Sequence, residues 1–562
     1  MPDPGPPSAE TVSQLKKNRI QSFTSEPLHS AAYLNDIVRY LSNKPPASAR
    51  YQATSPVQEE RNFLYAYKTY DNPSPRAVPF SQASTFLSEI SNRTDLNFLF
   101  FTGSPSPEWM EVLVDHLDID VRFLHSHLDF IPNAQRDWYT GLSLPSRERQ
   151  IFRLLIPSIV FVGTEGNTLS VDQLHAARTS CASQLEKRAH VLLSSGPRSH
   201  GQSMFRQVNV HRGDAIVIEQ VISIAMTRDG MGNLDKGRVN ILIIAISRGF
   251  SINTFAVFVW SDAGADAKDI PIPDTPDFRG PSTTSKLRDI SDTIEHCPVF
   301  FEKDVLHAAR AQTATSKSDK PGSTLQPLAV LPSRYGETMN WPLDDQFLKL
   351  QEIFNFQTAA ACQYLDMLRK LITGWTAQIH PTGDSDPTME FIIHFEYTKT
   401  VLARWSTHFS TLSSRLDDQI SLEPGSLIDH RRKKRRVSFL PIRGDIEYLR
   451  KEADALIGLC ESGKATIMSS FSVYSSKRAQ KESSLVTQLT KTTNRITLIF
   501  LPISLVTSVF GMNFKQFGQG PLSITLWVAV SIPLLAVCVL ISEWGGRSLR
   551  RGRCILLSET KH

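Results

Sequence analysis

Seven polar or small side chains and one leucine form a periodic stripe near the end of this 562-residue chain. They are Thr487, Thr490, Asn494, Thr497, Leu501, Ser504, Ser508 and Gly511. The spacings alternate three and four, which is a heptad seam on one face of a helix. A seam between soluble helices would be apolar. Here only Leu501 is, while Ser504, Ser508 and Gly511 interrupt otherwise apolar sequence, with Thr507 as the main off-stripe exception. Such a row has two uses. Small residues let membrane helices approach closely, and a row of neutral oxygens can border water. The second use would suit an ion that crosses with several of its waters still bound. Amide and hydroxyl oxygens could accept hydrogen bonds from that shell without replacing it. The stripe runs directly into Gly511-Met512-Asn513.

The elements that must carry these residues are two apolar segments, 496–514 and 522–544. The second has no charge before Glu543 and is long enough to span a bilayer, which takes roughly 20 helical residues. Trp544 stands where an interfacial aromatic is expected. A buried hairpin in a soluble core is the competing reading, but soluble helices rarely lack a polar face for so long. The loop 515–521 holds one basic residue, Lys515. Lys491 and Arg495 precede the first segment, and Arg547, Arg550, Arg551 and Arg553 follow the second. Positive-inside asymmetry then places both termini in the cytosol, or in the matrix of a mitochondrion.

Residues 1–60, rich in Pro, Ser, Gln and Ala, are expected to form a flexible N-terminal segment. Residues 77–335 read as a cytosolic α/β domain. Its candidate strands are Leu96–Thr102, Ile151–Val162, Ala215–Met226, Val239–Ser247 and Thr254–Ser261. Pro107 opens a helix through Leu117. A long polar insertion occupies 263–335, with a helical stretch near Ser285–Ala309. Long helices and a basic connector fill 341–444, the helices over Trp341–Ala377 and Thr388–Leu416 and the turn-rich connector from Glu423 to Gly444. A stalk helix, 445–495, continues into the first apolar segment, and 545–562 is a basic tail. Gly458 and Gly463 count against the first third of the stalk.

The run TLIFLPISLVTSVFGMNF, Thr497–Phe514, resembles the first membrane helix of the CorA-type magnesium transporter superfamily, including its Phe-Leu-Pro step at Phe500–Pro502. The short loop, the second span and the C-terminal placement match as well. Ser106–Phe130 and Leu142–Leu155 look like the soluble domain of fungal CorA-like proteins. The resemblance implies an α/β cytosolic domain followed by long helices and a C-terminal transmembrane hairpin, assembled as a homopentamer. It implies a channel for Mg2+ or a related divalent cation. Gly511, Met512 and Asn513 would form the outer selectivity motif, with Asn513 touching the ion through its water. Thr487, Thr490, Asn494, Thr497, Leu501, Ser504 and Ser508 would line the pore, Leu501 as an apolar constriction. Arg547, Arg550, Arg551 and Arg553 would surround the inner mouth. One departure stands out: the loop FKQFGQGP lacks the acidic residue that many family members carry. A non-conducting, membrane-anchored sensor or scaffold therefore stays open.

The rest of the sequence excludes more than it assigns. A net charge of +5 is small for this length, and six cysteines show no pairing pattern or zinc spacing. A reducing compartment fits. No phosphate-cradling loop and no Ser-His-Asp order is recognisable, so neither an enzyme nor a cofactor is expected, and the expected partners are the cation, the bilayer and further copies rather than nucleic acid. His125 and His127 near Asp129, and Asp384 with Asp386, are weak metal candidates. The run His430–Arg436, HRRKKRR, reads as a solvated loop, a lipid-facing segment or a nuclear signal. Arg435-Arg436-Val437-Ser438 looks like a basophilic kinase site.

Overall fold

The computed structural model describes residues 61–68, 77–90, 96–113, 117, 119, 121–128, 151–162, 169–195, 201–213, 215–226, 257–264, 294–299, 326–335, 350–379, 390–421, 429–510, 523–537 and 539–540. The chain divides into two units: residues 1–380 with 389–464, and residues 381–388 with 465–562.

Eight described strands of the first unit form one sheet. They are β1 (Leu64–Lys68), β2 (Ala77–Phe80), β3 (Leu96–Thr102), β4 (Ile151–Val162), β5 (Gln207–Val210), β6 (Ala215–Met226), β7 (Val257–Ser261) and β8 (Ile294–His296). The order is β2-β1-β3-β7-β6-β4-β8, with β5 also on β6. The β3–β7 pair is parallel, and the other described pairs are antiparallel. β6 is the centre. β4 pairs along one edge from Ile151↔Ala225 to Phe161↔Ala215, while β5 and β7 share the other edge. Every β6 residue from Ala215 to Ala225 is buried, which explains its near-continuous apolar run. The exceptions, Glu219, Gln220 and Ser223, must find partners inside the protein.

Short helices α1 (Ala83–Ile90), α2 (Pro107–Glu111) and α3 (Val121–Leu128) pack on this sheet. Ser106 caps α2 by accepting the Trp109 amide, and Pro107 fills the first-turn position where no amide is needed. The cap seats Trp109 5.1 Å from Phe63, which meets Trp260 edge-on at 6.1 Å. Gly103, at φ +68°, turns the chain out of β3 so closely that a Cβ would lie 2.5 Å from the Gln202 carbonyl oxygen. A longer helix, α4 (Val171–Ser195), closes a second cluster in which Leu174, Ala177 and Cys181 meet Val208, Val210, Ile216 and Ile218.

Four further helices follow: α5 (Pro327–Arg334), α6 (Gln351–Gln378), α7 (Glu390–Ser421) and α8 (Asp429–Phe510). α7 supplies side-chain partners to two backbone groups of β4 beyond its pairing with β8. His408 accepts the Leu155 amide at 3.2 Å, and Arg415 donates to the Ile151 carbonyl at 3.0 Å. The imidazole must be neutral for this, and burial beside Arg153, Arg415 and Arg404 lowers its pKa to about 3. Within the first unit, α8 buries Phe439, Ile442, Ile446, Leu449, Ala453, Leu456 and Cys460 at helical spacing. Phe439 meets Phe354 of α6 edge-on at 5.8 Å. Arg443–Asp417, Arg369–Glu452, Lys399–Glu461 and Lys464–Glu396 ion pairs flank that seam.

Three expectations change. The connector through Gly444 is helical from Asp429, because Phe439 and Ile442 anchor that turn-rich sequence to the core. The helical stretch near Ser285–Ala309 instead contains β8, whose three residues are held by pairing with β4. The polar insertion also supplies core: Leu328, Leu331 and Tyr335 are buried, and Tyr67 donates to the Pro332 carbonyl. The expected strand Val239–Ser247 lies outside the described residues.

Candidate pore helix

In the second unit α8 carries the stripe. At 3.6 residues per turn each residue advances the helix by about 100°, so Thr487, Thr490, Asn494, Thr497, Leu501, Ser504 and Ser508 fall within about a third of its circumference. All seven are exposed in the single chain. Pro502 and Val506 are the buried positions of the same stretch, each about 160° from Ser504. From the middle of the stripe they lie about 110° and 150° away, so the face used within the chain is off the stripe, whose seven members stay exposed.

The hydroxyls of the stripe are oriented. Thr487 donates to the Ser483 carbonyl at 2.8 Å, Thr490 to Val486 at 2.8 Å, Thr497 to Thr493 at 2.9 Å and Ser504 to Leu501 at 3.2 Å. Each proton is committed to the helix's own backbone. The oxygens retain lone pairs for an outside donor. Thr492 and Thr507 do the same off the stripe, so the stripe is distinguished by its spacing rather than by this bond.

The surroundings of the stripe are apolar and exposed. Ile496, Phe500, Leu501 and Leu505 are 52%, 66%, 60% and 56% accessible, and Ile532 and Leu540 in the second segment 64% and 63%. Apolar surface this dense needs a non-aqueous cover. Residues 524–537 are helical, and Trp527 and Ser531, one turn apart, keep buried polar atoms without a partner there. Among the described residues, no helix is long and apolar enough to cross a membrane. Gly511, Met512, Asn513, Lys515, Arg547, Arg550, Arg551 and Arg553 lie outside the described residues, as do Asp384 and Asp386.

The first unit holds polar chemistry that the sequence does not announce. Ser223 Oγ is 2.9 Å from His127 Nδ1, and His127 Nε2 is 3.4 Å from Asp262 Oδ1. This Ser–His–Asp arrangement is fully buried and structural. Asp262 already binds Arg206 through two bonds of 2.6 and 2.7 Å and the Val221 amide at 2.7 Å. Trp260 stacks on the imidazole at 4.4 Å. Burial, then Arg206 and Arg153, keeps His127 well below its ordinary pKa, so its contact with Asp262 is not an ion pair. Nearby on β6, Glu219 accepts from Asn209 and Arg404 at 2.6 Å and from Trp405 at 3.1 Å. Burial raises its pKa, and these partners oppose the rise. His127, Ser223 and Asp262 are far apart in sequence and share no local motif. Among the described residues, no group of three or more His, Cys, Asp or Glu side chains could hold a metal.

No family model matches the chain, and no curated protein matches it in sequence. Among solved structures it is similar to the CorA magnesium transporter from Methanocaldococcus jannaschii. The two share 10% identity over 85% of this chain and 96% of that one, with a TM-score of 0.31. A superposition at that score carries neither a fold assignment nor an activity across.

Proposed function

We propose that this chain forms a membrane channel or transporter for divalent cations, with Mg2+ as cargo, through a pore lined by the C-terminal part of α8. The observation that carries the reading is the exposed stripe, which lies off the buried positions of its helix and leads in sequence into Gly511-Met512-Asn513. In a homopentamer each stripe residue becomes a ring of five. Asn513 then forms the outer ring and meets the ion through bound water, while Leu501 forms an apolar constriction that gates by dewetting. The apolar surface of 496–514 and 522–544 is covered by lipid and by neighbouring copies. Both termini lie in the cytosol, the plasma membrane being the favoured site, and Arg547, Arg550, Arg551 and Arg553 surround the inner mouth. An inward-negative potential supplies about 2.3 kcal/mol per charge per 100 mV, twice that for a divalent ion, so no nucleotide is required. The chain acts without a cofactor or catalytic step.

The test is flux into proteoliposomes holding the purified full chain, with Mg2+ against Co2+, Ni2+ and Zn2+. Asn513→Ala is expected to abolish flux while assembly persists. Flux at the parent rate would remove Asn513 from the selectivity site. The acid-free loop with Lys515 favours a second reading, a non-conducting sensor or scaffold, and a correctly assembled parent chain that passes no divalent cation would select it.

A further inference from the structure

The second unit holds an acceptor without a donor and a donor without an acceptor. Pro502 stands inside α8, is buried there and carries no amide. The Leu498 carbonyl, four residues earlier, therefore lacks its helical donor. Leu498 and Pro502 are about 40° apart around the helix, so that carbonyl lies on the same side as the buried proline. The side chains around it, Ile499, Phe500 and Leu505, are apolar and exposed. In such surroundings an open carbonyl needs a partner from the protein. On the helix at 524–537, Ser531 is buried and its Oγ has no hydrogen-bond partner. Thr497, Ser504 and Thr507 of α8 spend their protons on their own helix, and Ser531 does not.

Depth brings the two groups together. Pro502 is eight residues before the end of α8 at Phe510. Ser531 is eight residues after Ser523, whose carbonyl and hydroxyl take the amides of Leu526 and Thr525. Each is thus about 12 Å along its helix from the connecting segment, and an antiparallel pair sets them at one level. Within 496–508 and 524–537 the buried positions are Pro502, Val506 and Ser531, which marks the faces that meet.

We propose that in the bilayer the Ser531 hydroxyl donates to the Leu498 carbonyl that Pro502 leaves open. The bond holds α8 at the kink a helical proline introduces. Leu501 adjoins Pro502, so its direction is set by that kink, and Ser531 is a positioning residue for the constriction. This consequence rests on the proposed pore, whereas the bond itself does not. Trp527 Nε1 is also without a partner, but it lies one turn nearer the connecting segment, level with Val506, where α8 keeps its amides.

The experiment is amide hydrogen exchange of the full chain in lipid nanodiscs, read by mass spectrometry on peptides from 497–510. Ser531→Ala should speed exchange there by roughly threefold, and by at most about twentyfold, the range for one hydrogen bond between membrane helices. Pro502→Ala restores the missing amide, so in that background Ser531→Ala should leave the rate unchanged. Trp527→Phe removes the other donor and should act alike in both backgrounds. Mg2+ flux into proteoliposomes is measured on the same variants, and Ser531→Ala should alter it only where Pro502 is present. Equal acceleration by Ser531→Ala in both backgrounds would make Ser531 a packing residue and overturn the bond. An unchanged rate in Ser531→Ala would overturn it too, as would a dependence on Pro502 shown by Trp527→Phe instead. Background-dependent exchange with unaltered flux would keep the bond and overturn its role at the constriction. A parent chain that passes no cation would remove the pore, and the exchange rates would still decide the bond.

Discussion

Gly458 and Gly463 stand five residues apart in one helix, and the same substitution should act on them in opposite directions. Replacing a helical glycine by alanine gains about 0.8–1 kcal/mol where nothing else changes. Gly458 meets that condition: no atom lies within 4 Å of a Cβ built there. Gly458→Ala should therefore stabilise the first unit by up to about 1 kcal/mol, or roughly 1 °C in Tm for a unit of this size. At Gly463 the new Cβ would lie 2.6 Å from Phe395 Cζ and 3.0 Å from both Cε atoms. Phe395 is 1% exposed and held edge-on to Trp375 at 5.8 Å, so its ring has little room to retreat. Overpacking of this kind costs about 1–3 kcal/mol. Net of the gain in helix propensity, Gly463→Ala should destabilise by up to about 2 kcal/mol. Thermal unfolding of the full chain in mild detergent, followed by tryptophan fluorescence, reads both. A double variant with Phe395→Leu should recover the loss, because the clashing ring is gone. Equal gains at the two glycines would refute the close approach of α7 and α8.

Glu219→Ala should cost about 3 kcal/mol, since it strands the Asn209 and Trp405 donors and Arg404, while Glu219→Gln keeps an acceptor and should cost less; chemical unfolding of both variants measures the difference. Burial lowers the pKa of His211 and His408 to about 3 and of His296 and His394 to about 4, below the unfolded 6.5, so their contribution is complete above pH 6.5 and is lost as pH falls toward 4 and then 3. For the fully enclosed His211 the slope is about 1.4 kcal/mol per pH unit inside that window, and a Tm that stays flat from pH 6.5 to 4.5 would contradict it. Lys515→Glu should raise Mg2+ flux at low ionic strength, with a gain that shrinks as salt shortens the Debye length to about 8 Å. Flux in that variant equal to the parent at every salt concentration would show that the loop does not set the potential at the mouth.

Much of the sheet was legible because its strands are long and β-rich. Leu96–Thr102, Ile151–Val162 and Ala215–Met226 needed no tertiary information, and helical spacing marked α6 and α7. β8 escaped because three residues make no pattern, and only the free end of β4 gives them an ordered partner. The first turns of α8 escaped because Pro441 and Gly444 read as punctuation, whereas Phe439 and Ile442 hold the helix across them. That the stripe lies on one exposed helix face could be read from sequence because it is local and periodic; its role in a pore belongs to the proposal. The His127–Ser223–Asp262 and Glu219 networks were not, because their members meet only when β6, β7, α3 and α7 are assembled.

The cover that α7 gives β4 also orders events in time. The Leu155 amide and Ile151 carbonyl wait for partners 253 and 264 residues downstream. At a synthesis rate of about 5–20 residues per second, that wait lasts roughly 10 to 50 s on the ribosome. For that interval these two groups lack the partners they hold in the fold, and strand groups without partners are where another chain can pair. A message broken before Glu390 would yield a product that can make neither bond, and the nascent chain passes through that same condition on its way to the complete fold.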